Sequence, residues 1–179
     1  MKSIVLTLIL VVFSINVSLN AQDMKSFEDD DASLEYPSSW EVIDIDKKKK
    51  ENPDNPMINN MILEITADKD DEASKSVKAI KMDMMGKNPS LADIEGFFVN
   101  MYSSQDKVQI LKKSKGTVNG YDYRSMTVKS NADGVDKIGV QRFFLKGRYI
   151  YLVSTSSQLA EFPNFKSTSS KVLDSFKVD

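Results

Sequence analysis

Apolar residues recur along this chain in two rhythms, and each change of rhythm marks an element. Met61, Leu63 and Ile65 alternate with Asn60, Glu64 and Thr66, the period-two pattern of a strand with one wet face. Leu91, Ile94, Phe97, Phe98, Met101 and Tyr102 recur instead at helical spacing and form one broad apolar face. Ser90 is placed to cap that helix and Asp93 sits in its first turn, where a carboxylate is favoured. Residues 108–115 and 121–129 read as strands joined by 116–120, because Asn119-Gly120 tolerates the positive φ of a tight hairpin turn. Residues 135–145 and 148–155 form a further pairing across Lys146-Gly147, after a turn at 131–134. Phe143, Phe144 and Leu145, then Tyr149 to Val153, are apolar without alternation, so these strands are expected to be covered on both faces.

Ser33 to Tyr36 predicts a first strand, Pro37-Ser38-Ser39 a turn, and Trp40, Val42 and Ile43 its hairpin partner, with the lone tryptophan plugging one end of the core. Residues 46–56 are polar, hold Lys47 to Lys50 in a row and prolines at 53 and 56, and predict a loop. Ala73, Val77, Ile80 and Met84 fall at helical spacing and predict a helix ending near Gly86, with a strand over 77–85 as the competing reading. Phe162, Phe165, Val172, Leu173 and Phe176 share one side of a last helix, which Pro163 helps to start. The fold class expected is α/β (α+β): an α-β-α sandwich around a central antiparallel sheet of about six or seven strands, with helices on both faces.

The ends of the chain change the picture. Lys2 precedes Ile4 to Ile15, which is apolar apart from Thr7 and Ser14, and a polar stretch leads to Ala21. About a dozen apolar residues suit a signal peptide and are short for a bilayer span, which needs ~20. Residues 1–21 are therefore expected to direct export, with cleavage between Ala21 and Gln22; an uncleaved N-terminal anchor is the alternative. Residues 22–31, with Glu28 to Asp31 consecutive, are expected to be an acidic flexible arm, and 32–179 one domain. The expected address is the periplasm or the outside of the cell.

Composition narrows the chemistry. The 179 residues contain no histidine and no cysteine. That removes Ser-His-Asp and Cys-His catalysis, ordinary zinc sites, disulfides, thiol redox chemistry and lipidation of an N-terminal cysteine. With 24 basic and 26 acidic residues, the chain lacks the basic excess of a nucleic-acid binder. No second apolar run is long enough to span a membrane.

Several groupings carry the residue types of a site. Asp68, Asp70, Asp71 and Glu72 are oxygen donors, but as an EF-hand loop they place Ala73 where glycine is required and Ala79 where the bidentate glutamate belongs. Met82, Met84 and Met85, with Met57 and Met61 nearby in sequence, offer thioethers for Cu(I), although methionine is also the usual filler of irregular cores. Ser104 to Lys107 matches Ser-x-x-Lys but lacks the Ser-Asp-Asn and Lys-Thr-Gly partners of that mechanism. The seven glycines fit neither dinucleotide nor Walker spacing. Lys47 to Lys50 can meet an anionic partner, and Glu28 to Asp31 a basic one, yet each more simply solvates its segment. No catalytic, cofactor-binding or metal-ligating residue is assigned, and no cofactor is expected.

Three stretches together resemble the PsbP-like proteins, a group that includes bacterial periplasmic DcrB-type proteins. They are Leu34-Glu35-Tyr36-Pro37-Ser38-Ser39-Trp40-Glu41-Val42, then Thr117-Val118-Asn119-Gly120-Tyr121-Asp122-Tyr123, and finally Arg142, Gly147 to Leu152 and Leu173 to Lys177. The resemblance implies the sandwich reached above and an exported, non-enzymatic accessory or binding protein of the bacterial cell envelope. It carries over no catalytic residue. Carboxylate pairs need no histidine, so a carboxylate-dependent hydrolase on the same fold is the alternative, and a metal-binding periplasmic module is another. A hydrolase requires two acids converging in a pocket, one with a raised pKa; a binding module requires an exposed apolar patch instead.

Overall fold

The computed structural model describes residues 23–71, 74–132 and 134–178. The expected export signal, its cleavage site, Glu72 and Ala73 lie outside these residues. Among the described residues, ten strands form two sheets, accompanied by four helices. β1 (Met24–Glu28) and β2 (Ala32–Pro37) pair antiparallel, and β10 (Lys177–Val178) adds to the other edge of β2. The larger sheet has the order β3-β4-β5-β9-β8-β7-β6 and is antiparallel throughout. Its strands are β3 (Glu41–Val42), β4 (Met61–Thr66), β5 (Ser76–Asp83), β6 (Val108–Val118), β7 (Tyr121–Ala132), β8 (Val135–Lys146) and β9 (Tyr149–Gln158).

Helices cover both faces. α3 (Leu91–Ser103) packs on one face, with Ile94 and Phe98 set against Met126, Phe143, Ile150 and Leu152. α4 (Phe162–Ser175) and the small sheet share the other, where Phe165, Val172 and Leu173 meet Val77, Phe144, Tyr151 and Val153. The run Phe143-Phe144 explains the missing alternation: Phe143 enters the α3 core and Phe144 the α4 core. Trp40 closes one end of the α4 core against Phe165, with ring centroids 5.8 Å apart. The last turn of α4 is held by Arg142, whose guanidinium donates to the Leu173 carbonyl at 2.8 Å and to the Asp174 carboxylate at 2.6 Å. At the β6–β7 turn, Asn119 and Gly120 take φ of 51° and 83°, and the Asn119 amide donates to the Phe176 carbonyl.

Four expectations are corrected. Residues 24–28, read as part of a flexible arm, form β1, because Phe27 packs against the α4 core and the strand finds a partner in β2. The hairpin of 33–36 with 40–43 does not close; the Pro37 to Trp40 turn hands the chain from the small sheet to β3 at the edge of the large one. The loop at 46–56 holds two short helices, α1 (Ile45–Glu51), capped by Asp44, and α2 (Pro56–Asn59), capped by Asn55. The helix expected up to Gly86 is β5, flanked on both sides by β4 and β9. Val77 and Ala79 enter the α4 core while Ile80 and Met82 face α3. A strand buried on both faces lacks a period-two signal, and its apolar residues mimicked helical spacing.

Candidate binding cleft

α3 packs chiefly over β6, β7 and β8, so the β4–β5 end of that sheet face is less fully covered. Side chains at alternate positions of β5 line what is left open. Ser76 and Lys78 face a polar hollow; Met82 faces an apolar one.

The polar hollow, about 420 Å³, lies between α1, β4, β5 and residues Asp68, Lys69, Asp71 and Ser74. Glu64 on its floor is 8 % exposed and is clasped by Lys48 from α1 and by Lys78 at 2.9 Å from the neighbouring strand. Burial pushes its carboxyl pKa up, but the hydrogen bonds and charges of both lysines outweigh that and hold it below the usual range. Thr66 donates to the Asp68 carbonyl, and the Ser76 hydroxyl pairs with that of Ser156 at 2.9 Å. α1 itself buries no residue, so Lys48 is its main tie to the sheet.

The apolar hollow, about 430 Å³, lies between the end of β5, the 84–90 connection and α3. Met82, Met84, Met85, Ile94, Phe98 and Ile150 line it, with Phe97 at its rim. Phe98 stacks on Phe143 with centroids 4.5 Å apart and forms the rigid back wall. Phe97, by contrast, is 63 % exposed and Met85 90 % exposed. Phe97 was read from the sequence as part of the α3 core face. It lies at the edge of that arc, while Ile94 and Phe98 take the buried centre. Met85 has φ of 47°, a left-handed conformation unfavourable for a long side chain, and Gly86 follows at 82°. The Asp83 carboxylate accepts from the Met85 amide at 2.9 Å and also pairs with Arg148 at 2.7 Å. Asp93 is occupied in a reciprocal cap with Ser90, which keeps its pKa low. The two carboxylates at this cleft are thus already engaged.

The other sequence groupings do not converge. Asp68 accepts from the Asp70 amide within its own turn, and among the described residues no three acidic, histidine or cysteine side chains are grouped to hold a metal. Ser104 ends α3 with its hydroxyl donated to the Met101 carbonyl, which ties it to the helix end. Lys47 to Lys50 ride on α1, where Lys47 pairs with Glu51 and Lys48 with Glu64. Asp31, from the acidic run, pairs with Lys81 and so fastens the small sheet to β5. Of the methionines grouped as soft donors, Met82, Met84 and Met85 line one cleft, whereas Met57 lies on the exposed α2 side and Met61 is buried in β4. No helix among the described residues is long and apolar enough to cross a membrane.

No known family model matches the chain, and no curated protein matches it in sequence. Solved structures do. Cyanobacterial PsbP from Synechocystis superposes with a TM-score of 0.63 at 15 % identity, covering 90 % of this chain and 96 % of that one. LpqN of Mycobacterium tuberculosis, involved in cell envelope biogenesis, gives 0.60 at 12 % identity over 87 % and 91 %. The Ran-binding protein Mog1p of Saccharomyces cerevisiae gives 0.53 at 11 % identity over 88 % and 96 %. At such identities the likeness is one of architecture, and that architecture is the PsbP-like fold.

Proposed function

We propose that this chain is an exported, non-enzymatic binding or accessory protein of the bacterial cell envelope that takes hold of its partner through the apolar cleft between β5 and α3. The carrying observation is the exposure of Phe97 and Met85 at the mouth of a preformed hollow backed by Phe98. Large apolar side chains grouped at a concave site are the usual anchors of recognition. Export rests on the N-terminal apolar run and is in keeping with the envelope role of LpqN. A carboxylate-dependent hydrolase is less well supported. Its proton donor needs a raised pKa, whereas Glu64, Asp93 and Asp136 among the described residues are all shifted downward by their hydrogen-bond partners.

The test is crosslinking in the native cell envelope with the wild-type chain, Phe97→Ala and Glu64→Gln. Reproducible capture of one envelope component that is lost in Phe97→Ala and kept in Glu64→Gln is the expected result. Capture indifferent to Phe97, or turnover of a glycoside or ester substrate that Glu64→Gln abolishes, overturns the reading.

A further inference from the structure

The apolar cleft also presents three thioethers, which simple burial of an apolar group would not require. We propose that Met82, Met84 and Met85 form a binding site for a monovalent soft metal ion, Cu(I). This goes beyond partner capture and needs only that the cleft be open.

The backbone brings the three donors together. Met82 and Met84 stand at alternate positions of an extended segment, which the Met84 amide prolongs past β5 by donating to the Arg148 carbonyl at 3.1 Å. Alternate positions project to one side, roughly 7 Å apart along the chain. The left-handed turn at Met85-Gly86, held by the Asp83 carboxylate, then returns the third side chain to the same hollow.

The donor set also selects the ion. Asp83 is committed to Arg148 and Asp93 to Ser90, and the soft donors at this cleft are the three methionine sulfurs. Thioethers are soft ligands that favour Cu(I) over hard cations. Phe98, fixed against Phe143, backs the hollow that the three methionines line.

The role of core filler suits Met126, which is fully buried, but not Met85 at 90 % exposure in a strained conformation. Because the chain contains no histidine or cysteine, tight soft-metal binding must run through methionine. That makes the test unusually clean.

Ag(I), a redox-inert mimic of Cu(I), is titrated into purified protein carrying 13C-methyl methionine, and the methyl resonances are followed by NMR. One equivalent is expected to shift the methyls of Met82, Met84 and Met85 alone, and these three should vanish in the Met82→Leu, Met84→Leu, Met85→Leu triple variant. Leucine nearly conserves volume, so the fold should persist. Should the triple variant misfold, Met85→Leu alone serves, because its side chain is exposed.

In anaerobic competition with a chromophoric Cu(I) chelator, Met85→Leu is expected to weaken binding about tenfold and the triple variant about a hundredfold or more, as loss of one or three soft donors demands. Shifts centred on other methionines such as Met57, or an affinity unchanged in the variants, overturn the site. Phe97→Ala separates the two readings: it should abolish partner capture and still bind one equivalent of Ag(I).

Discussion

Two hollows of similar volume share one sheet face and one strand, yet they settle their surfaces in opposite ways. In the polar one the charged floor is closed upon itself, with Glu64 between Lys48 and Lys78 and the Ser76 hydroxyl engaged by Ser156. In the apolar one the charges at the rim are closed, and the apolar groups are left open at Phe97 and Met85. The difference separates a structural clasp from a docking surface. A carboxylate held by two lysines offers a ligand little that is unsatisfied, whereas an exposed phenyl ring beside a strained methionine gains from being covered.

The contrast can be broken at four points. The largest effect is expected at the back wall of the apolar cleft: Phe98→Ala should lower unfolding stability by about 3–5 kcal/mol, since it empties a buried site stacked on Phe143. Urea denaturation measures it, and a loss below ~1 kcal/mol would mean the wall is soft and the hollow not preformed.

Next comes the clasp. Glu64→Gln should cost about 1–2 kcal/mol at neutral pH, as a charged hydrogen-bond partner of two lysines is lost. The pH dependence has a definite sign. The Glu64 pKa is lowered in the folded state, so the unfolded chain binds the proton more readily, and stability present above the ordinary glutamate pKa is lost as pH falls through the depressed folded value. The wild-type advantage over Glu64→Gln should therefore shrink on acidification below about pH 4.5. A constant difference in thermal melts from pH 7 to 3 would detach Glu64 from the lysines.

Smaller still is Met85→Gly, which removes the left-handed penalty and should stabilise the fold by about 0.5–1 kcal/mol while weakening Ag(I) binding. A destabilised variant would show that the Met85 side chain is packed rather than presented. Phe97→Ala should change stability by less than ~0.5 kcal/mol, because the ring is mostly in water, and should act on partner capture alone.

These elements were unequally legible in the chain itself. The α3 cap, the Asn119-Gly120 turn and the paired long strands follow from local chemistry, and the structure places each where that chemistry puts it. β5 was harder, because a central strand covered on both faces carries no alternation. α1 was hidden for the opposite reason. It buries nothing, so no apolar stripe announces it, and only Asp44 as a cap hints at a helix. Within the cleft, the methionines were visible as a set, but their convergence depends on a turn at Met85-Gly86 that the expected helix would have erased. Phe97 was misplaced because two adjacent aromatics widen an apolar arc beyond what one helix buries. The excess breadth was itself the signal of an exposed ring.

The way the small sheet is completed bears on how the protein comes to be made. β2 pairs β1 at once, but its other edge waits for β10, and the Glu35 amide reaches a serine 140 positions later. Contacts that distant are late events, since the intervening chain must close before they form. During synthesis the first strands would thus have no permanent neighbour on one side, and the domain stays pliable until its last residues appear. Under the export proposed above, delay of that kind keeps the chain in a form that can be threaded through a narrow channel.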